Sequence, residues 1–144
     1  MFVGNPLEID KLDEAMNNCS IIINALNISR NSDFPWSKLR APKTLLSETI
    51  SNLIHLSKKH NFYKIISVSA WGVNESKKQL PLWFRWLIDN SNIKYGYLDH
   101  EKQEQILTTS NFDYTIIRPS ALYGIRCISG RVTQKFIENA LNNK

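Results

Sequence analysis

The chain has 144 residues, 42% of them hydrophobic and 22% charged, with 18 Lys+Arg against 13 Asp+Glu for a net charge of +5. That is one domain's worth of a globular mix; it excludes disorder by composition, and no apolar run reaches the roughly 18–20 residues that span a bilayer. The lysines are scattered, with only the short pairs Lys58–Lys59 and Lys77–Lys78, so they read as solvated surface rather than as a nucleic-acid footprint.

In chain order, Asp10–Asn17 reads as a short helix with Asp10 as its N-cap. Ile21–Asn27 follows as an Ile-rich strand. Leu45, Leu46, Thr49, Ile50, Leu53, Ile54 and Leu56 recur at helical spacing, which predicts a long amphipathic helix over 42–60 with Pro42 in its first turn. Lys64–Ala70 is a second strand and Tyr114–Ser120 a third; each lacks clean alternation, the pattern of a parallel sheet covered on both faces. Between them, Pro81–Asn90 holds Trp83, Phe84 and Trp86, either a short helix packing its aromatics onto the domain, the reading favoured, or a substrate wall or membrane-touching lid. A helix is expected over 98–110, and a last one runs from Arg131 with Val132, Phe136, Ile137, Ala140 and Leu141 on one face. Strand, helix, strand is the βαβ unit, with a right-handed crossover. No linker or repeat divides the chain, so residues 1–144 are expected to form a single domain.

Ligands of a parallel α/β sheet bind outside the carboxyl ends of its strands. That rule selects Asn24, Ala25, Leu26 and Asn27, then Ser69 and Ala70 through Gly72, then Arg118, Pro119 and Ser120. A Ser69 hydroxyl could donate to a carbonyl or could cap its loop. Arg118 could approach a phosphate, with pairing to a buried carboxylate favoured. His100 could move a proton, although at the start of a polar helix it reads as a surface residue. Asp99, Glu101 and Glu104 resemble a carboxylate cluster, with first-turn charges of that helix the favoured reading. His55 lies within the long helix and His60 at its end, where a cation suits the dipole. No His or Cys pair has zinc spacing, so no metal is expected. Cys19 and Cys127 fit neither a disulfide framework nor a metal cluster; they read as thiols of a reducing, cytoplasmic compartment. The N-terminus lacks the pattern of a signal peptide.

These residues also carry a resemblance. ISVSAWGV and DYTIIRPSALYG resemble the fifth and sixth strands of atypical short-chain dehydrogenase/reductases, and NPLEIDKLDEAMNNCSIIINAL and GRVTQKFIENAL resemble their third-strand exit through fourth strand and a late helix. The closest group is the NmrA-like and biliverdin-reductase-B-like NAD(P)H-binding proteins. The resemblance implies a partial Rossmann-like, three-layer α/β fold on a parallel sheet, and an oxidoreductase moving hydride between NADP or NAD and a small-molecule substrate. It places Ser69 and His100 in catalytic positions, and Asn24, Ala25, Leu26, Ser69, Ala70, Arg118, Pro119 and Ser120 at the cofactor.

The departures shape the expectation. Gly4 is followed by 67 residues without glycine, so the family's first strand and its glycine-rich phosphate loop have no counterpart here. Counting back from Glu104, Gly96 and His100 stand where many relatives carry the Tyr and Lys of Tyr-x-x-x-Lys, with Tyr95 and Tyr97 beside the slot. Cofactor binding is therefore expected to be weak or absent. The alternative to an enzyme is a non-catalytic regulatory or interaction relative, or a gene fragment. No nucleic-acid or membrane partner is expected, and the uncharged IIINAL strand is expected to be an exposed edge prone to self-association.

Overall fold

A computed structural model of the chain describes residues 3–119. In chain order the elements are α1 (Ile9–Ala15), β1 (Ile21–Asn24), α2 (Leu45–Leu56), β2 (Lys64–Val68), a 3-10 turn (Asn74–Gln79), α3 (Leu82–Asp89), α4 (Ile93–Thr109) and β3 (Asp113–Ile117). The three strands form one parallel sheet in the order β1-β2-β3, with Ile22 beside Ile65 and Ile65 beside Tyr114. Helix α2 makes the first crossover, and α3 with α4 fills the second. This is the parallel sheet the strand pattern implies, and the partial Rossmann-like α/β fold the resemblance implies.

The core explains the arrangement. Ile50, Leu53 and Leu56 of α2 meet Leu107 of α4 over Ile65, with Met16 and Phe62 closing one end. Ile22, Tyr114 and Ile116 pack against that cluster from the sheet. The Phe62 and Phe112 rings pack tilted at 47°, 4.8 Å between centroids, where two crossovers return to the sheet. A second cluster, Ile28, Leu45 and Leu46, seats the segment after β1 on the start of α2.

Several sequence expectations are corrected. Only β2 is buried on both faces, through Ile65, Ile66 and Ser67; β1 and β3 are half-buried because each pairs on one side only among the described residues, and Ile23 is exposed. The strands end at Asn24, Val68 and Ile117, short of the expected ends, and the residues beyond turn into the crevice. Helix α2 starts three residues after Pro42, whose carbonyl accepts the Leu45 N–H. Asp10 lies in the first turn of α1 rather than at its cap, which is Glu8. His60 Nε2 hydrogen-bonds Asp13 Oδ1 of α1, a partner from another element rather than its own helix end. Lys59 joins the same carboxylate and holds the Asp13 carboxyl below its usual range. Cys19 is a free thiol whose Sγ donates to the Ala15 carbonyl; Cys127 and the helix expected from Arg131 lie outside the described residues. Among the described residues no helix is long and apolar enough to cross a membrane.

Candidate functional site

The carboxyl ends of all three strands open on one cavity of about 440 Å³, within the range of about 300–1,000 Å³ usual for small-molecule pockets. Ala25, Leu26 and Asn27 supply the wall after β1, Val68 to Trp71 the floor after β2, and Pro119 the rim after β3. Tyr97 and His100 of α4 close the side, and Pro81, Trp83 and Phe84 reach over from α3. Hydrogen bonds from the Ser69 N–H to the Ile117 carbonyl (2.8 Å) and from the Trp71 N–H to the Pro119 carbonyl (3.2 Å) carry the β2–β3 pairing into the rim.

One glycine makes the floor possible. Gly72 has φ +99°, and a Cβ there would come within 2.5 Å of Leu80 Cδ1 and 3.1 Å of Tyr97 Cε1. The chain thus reverses directly after Trp71. The Gly72 N–H donates to Ser76 Oγ, which in turn donates to the Val73 carbonyl, pinning the turn.

Helix α4 is the organising element, and its start at Ile93 corrects the reading of a helix over 98–110. Asp99, Glu101 and Glu104 are therefore mid-helix rather than first-turn residues. Asp99 is buried and accepts from the Leu46 N–H (2.7 Å), the Ser47 N–H (3.3 Å) and the Ser47 hydroxyl, so it caps α2 from across the core. Glu104, also buried, takes a fork of hydrogen bonds from Arg118 Nε (2.8 Å) and Nη2 (2.6 Å) and a further one from Asn74 Nδ2. Burial pushes the Glu104 carboxyl up, but Arg118, with Ser69 and Asn74, outweighs it and holds the group below its usual range. Glu75 adds a second anion to Arg118 at 3.2 Å, and the two raise the guanidinium's pKa, Glu104 most. Arg118 is thus committed to pairing and does not line the cavity. Gln103 donates to Ser67 Oγ, completing a polar seam between α4 and β2.

His100 is 5% exposed, which corrects its reading as a surface residue. Burial is the largest influence on it and lowers its pKa, against the opposing pull of Asp99 and Glu104, so the imidazole is neutral at pH 7. Burial alone raises the Tyr97 phenol.

Four buried polar atoms at this end of the sheet make no hydrogen bond among the described residues: Asn24 Nδ2, Ser69 Oγ, His100 Nδ1 and Gln103 Oε1. Ser69 lies near enough to Glu104 to help hold that carboxyl down, without a hydrogen bond of ordinary geometry. An unsatisfied buried polar group costs about 1–3 kcal/mol. Two of these atoms belong to cavity-lining residues, so a bound ligand can complete them. Asn24 instead turns its Oδ1 to the Leu26 N–H at 3.3 Å. Of the site residues marked in the sequence, Ala25, Leu26, Asn27, Ser69, Ala70, Trp71, His100 and Pro119 line the cavity. Asn24 lies just beneath, Arg118 to one side, and Ser120 is outside the described residues.

For the aromatic segment the sequence favours packing onto the domain over a substrate wall or membrane-touching lid. Helix α3 instead leaves Trp83 and Trp86 mostly exposed, and Trp83 and Phe84 line the cavity. Tyr97 was noted only as standing beside a vacant slot. Its spacing of three and seven residues from His100 and Glu104 was the signal that all of them share α4's inner side.

A nicotinamide ring fits this setting in kind: an apolar pocket with buried, unfilled polar atoms at the strand ends. No curated protein matches the sequence. Among solved structures, the anaerobilin reductase ChuY from Escherichia coli O157:H7 superposes with a TM-score of 0.59 at 19% identity, covering 82% of this chain and 49% of its own. ChuY from E. coli CFT073 gives 0.57 at 17%, covering 82% and 50%. A short-chain dehydrogenase/reductase from Veillonella parvula DSM 2008 gives 0.56 at 19%, covering 81% and 44%. The chain spans about half the length of these structures. The family model described as NAD(P)H-binding matches residues 1–141, and the chain belongs to that NAD(P)H-binding family.

Proposed function

We propose that the cavity at the strand ends receives the nicotinamide end of NADH or NADPH together with a small substrate, and that the domain serves hydride transfer. The carrying observation is the convergence of three strand ends on one apolar cavity with Ser69 Oγ and His100 Nδ1 buried and unfilled beside it. A bound reduced nicotinamide supplies the hydride. Ser69 donates its hydroxyl hydrogen to an acceptor carbonyl, and neutral His100 holds or moves a proton at Nδ1. The apolar walls from Trp71, Trp83, Phe84 and Pro119 keep water from the reacting atoms.

Binding by these 144 residues is weak, because nothing in them offers a glycine-rich loop to the pyrophosphate. Calorimetric titration with NADH and NADPH, on the chain and on Ser69→Phe, tests both halves. We expect a dissociation constant above about 100 μM, weakened further by the phenylalanine. A value below about 10 μM overturns the weak-binding half. Equal binding by chain and variant overturns the placement. The β1 edge, with Ile23 exposed, is further read as a point of self-association. Light scattering that shows only monomer at tens of micromolar would refute this.

A further inference from the structure

We propose that the exposed face built from α3 and the turn at Phe34–Trp36 is a docking surface for an anionic lipid bilayer, with the mouth of the cavity opening at its edge. Three observations carry it.

The first is what α3 shows to solvent. Leu82, Trp83 and Trp86 are 79%, 68% and 62% exposed, and they lie on adjoining positions of one short helix. A globular surface has scattered apolar residues, not two tryptophans and a leucine within five positions.

The second is that a distant segment extends this patch. Residues 29–40 fold back on themselves as a small antiparallel ladder: Arg30 bridges Leu39, and the Arg40 N–H donates to the Ser29 carbonyl. The ladder's tip carries Phe34 and Trp36, both exposed, with ring centroids 5.2 Å apart. It is clamped to the end of α3: Trp36 Nε1 donates to the Asn90 carbonyl at 2.8 Å, and the Asn92 N–H donates to the Pro35 carbonyl at 3.0 Å. The aromatic tip is therefore held one helical turn beyond Trp86.

The third is charge. Segments 30–43 and 77–94, which carry all five of these side chains, hold eight Lys and Arg against two Asp and Glu. The rest of residues 3–119 holds six against ten. The modest net charge of the chain thus hides a segregation along the sequence: the segments that carry the aromatic surface are the positive ones, with Lys77 there pairing with Asp89. Tryptophan and leucine framed by lysine and arginine are the chemistry of a protein surface lying in the headgroup layer of an anionic membrane.

Other occupants fit less well. A symmetric pairing of two copies through this face would bring two positive surfaces together. A single-stranded nucleic acid would meet the charge, but Leu82, the most exposed of these residues, offers no ring for a base to stack on. The expectation of no membrane partner rested on the lack of a spanning segment, which a peripheral surface does not need, and on the favouring of packed aromatics over a membrane-touching lid at Pro81–Asn90, which the exposure of Trp83 and Trp86 reverses.

The experiment is sedimentation of the whole chain with vesicles of phosphatidylcholine alone and with phosphatidylserine added, read alongside tryptophan emission. We expect binding that requires phosphatidylserine, a blue shift of the emission on binding, and weakening by added salt. The Leu82→Ser/Trp86→Ser variant should bind about tenfold less well, from the apolar area it withdraws. Both residues lie outside the cavity lining, so NADPH titration of the same variant, unchanged from the parent, shows that the surface and not the fold was altered. Failure to sediment with phosphatidylserine vesicles overturns the proposal. So does equal sedimentation of parent and variant, or preferential capture by a single-stranded oligonucleotide at the same salt.

Discussion

Helices α3 and α4 invert the usual rule in opposite directions. The inner side of α4 buries Asp99, His100, Gln103 and Glu104, while α3 exposes Leu82, Trp83 and Trp86. The buried groups of α4 are costly unless paired, and pairing is directional. Each partner therefore fixes a position: Asp99 the start of α2, Gln103 the strand β2, Glu104 the loop after β2 and the end of β3. The exposed groups of α3 fix nothing within the described residues. Polarity inside builds the cavity, and apolarity outside faces whatever the protein meets.

That contrast can be broken from the α4 side first. Asp99→Ala leaves two N–H groups at the start of α2 and the Ser47 hydroxyl without their acceptor, and should cost about 3 kcal/mol in urea denaturation. Asp99→Asn, which keeps an acceptor oxygen, should recover part of the loss. Glu104→Leu strands Arg118, but that guanidinium is about a third exposed and keeps Glu75. Its cost should be smaller, about 2 kcal/mol.

Acid gives the next test. The lowered pKa of His100 means that the unfolded chain takes up a proton near the ordinary 6.5 while the folded chain resists it. Stability should therefore fall as pH drops below about 6.5 and be unaffected above it. Glu104, also lowered, contributes stability above its ordinary 4.5 and loses it as pH falls further. Denaturation midpoints of His100→Leu at pH 7.5 and 5.5 should differ less than those of the parent; an equal drop would assign the acid sensitivity elsewhere. The smallest effect belongs to α3: Leu82→Ser/Trp86→Ser should change stability by no more than about 0.5 kcal/mol, because those side chains support no core.

The same inversion explains what could be read in advance. Apolar runs located all three strands, and the period of Leu45, Leu46, Ile50, Leu53 and Leu56 located α2, because those residues fill the core in the ordinary way. The strand-end rule then pointed to Ser69, Ala70 and Pro119 at the cavity. Helix α4 was misplaced by five residues at its start, and its side chains were assigned to solvent, since a helix whose inner side is polar leaves no apolar period to find. Helix α3 was located, at Leu82–Asp89, but the favoured role of its aromatics is corrected for the mirror reason. Tryptophans are more often packed than exposed, which favoured packing over the substrate wall or membrane-touching lid, and the exposure of Trp83 and Trp86 leaves no trace in the sequence. The Asp99–Ser47 and Arg118–Glu104 pairings differ in kind: the second lies 14 residues apart and was among the readings of Arg118, whereas the first spans 52 and leaves no local trace.

The reach of Asp99 also orders events in folding. Its carboxylate meets the Leu46 N–H across 53 positions of chain. Closing a loop of that length costs about 3.5 kcal/mol of chain entropy before the bond returns anything. The first turn of α2 cannot acquire its acceptor until α4 has formed and docked. As a free peptide α2 should fray from Leu45 inward, and in the intact chain its amino end should mature late, with the arrival of the second crossover. The start of one helix is in this sense a readout that the next has been built.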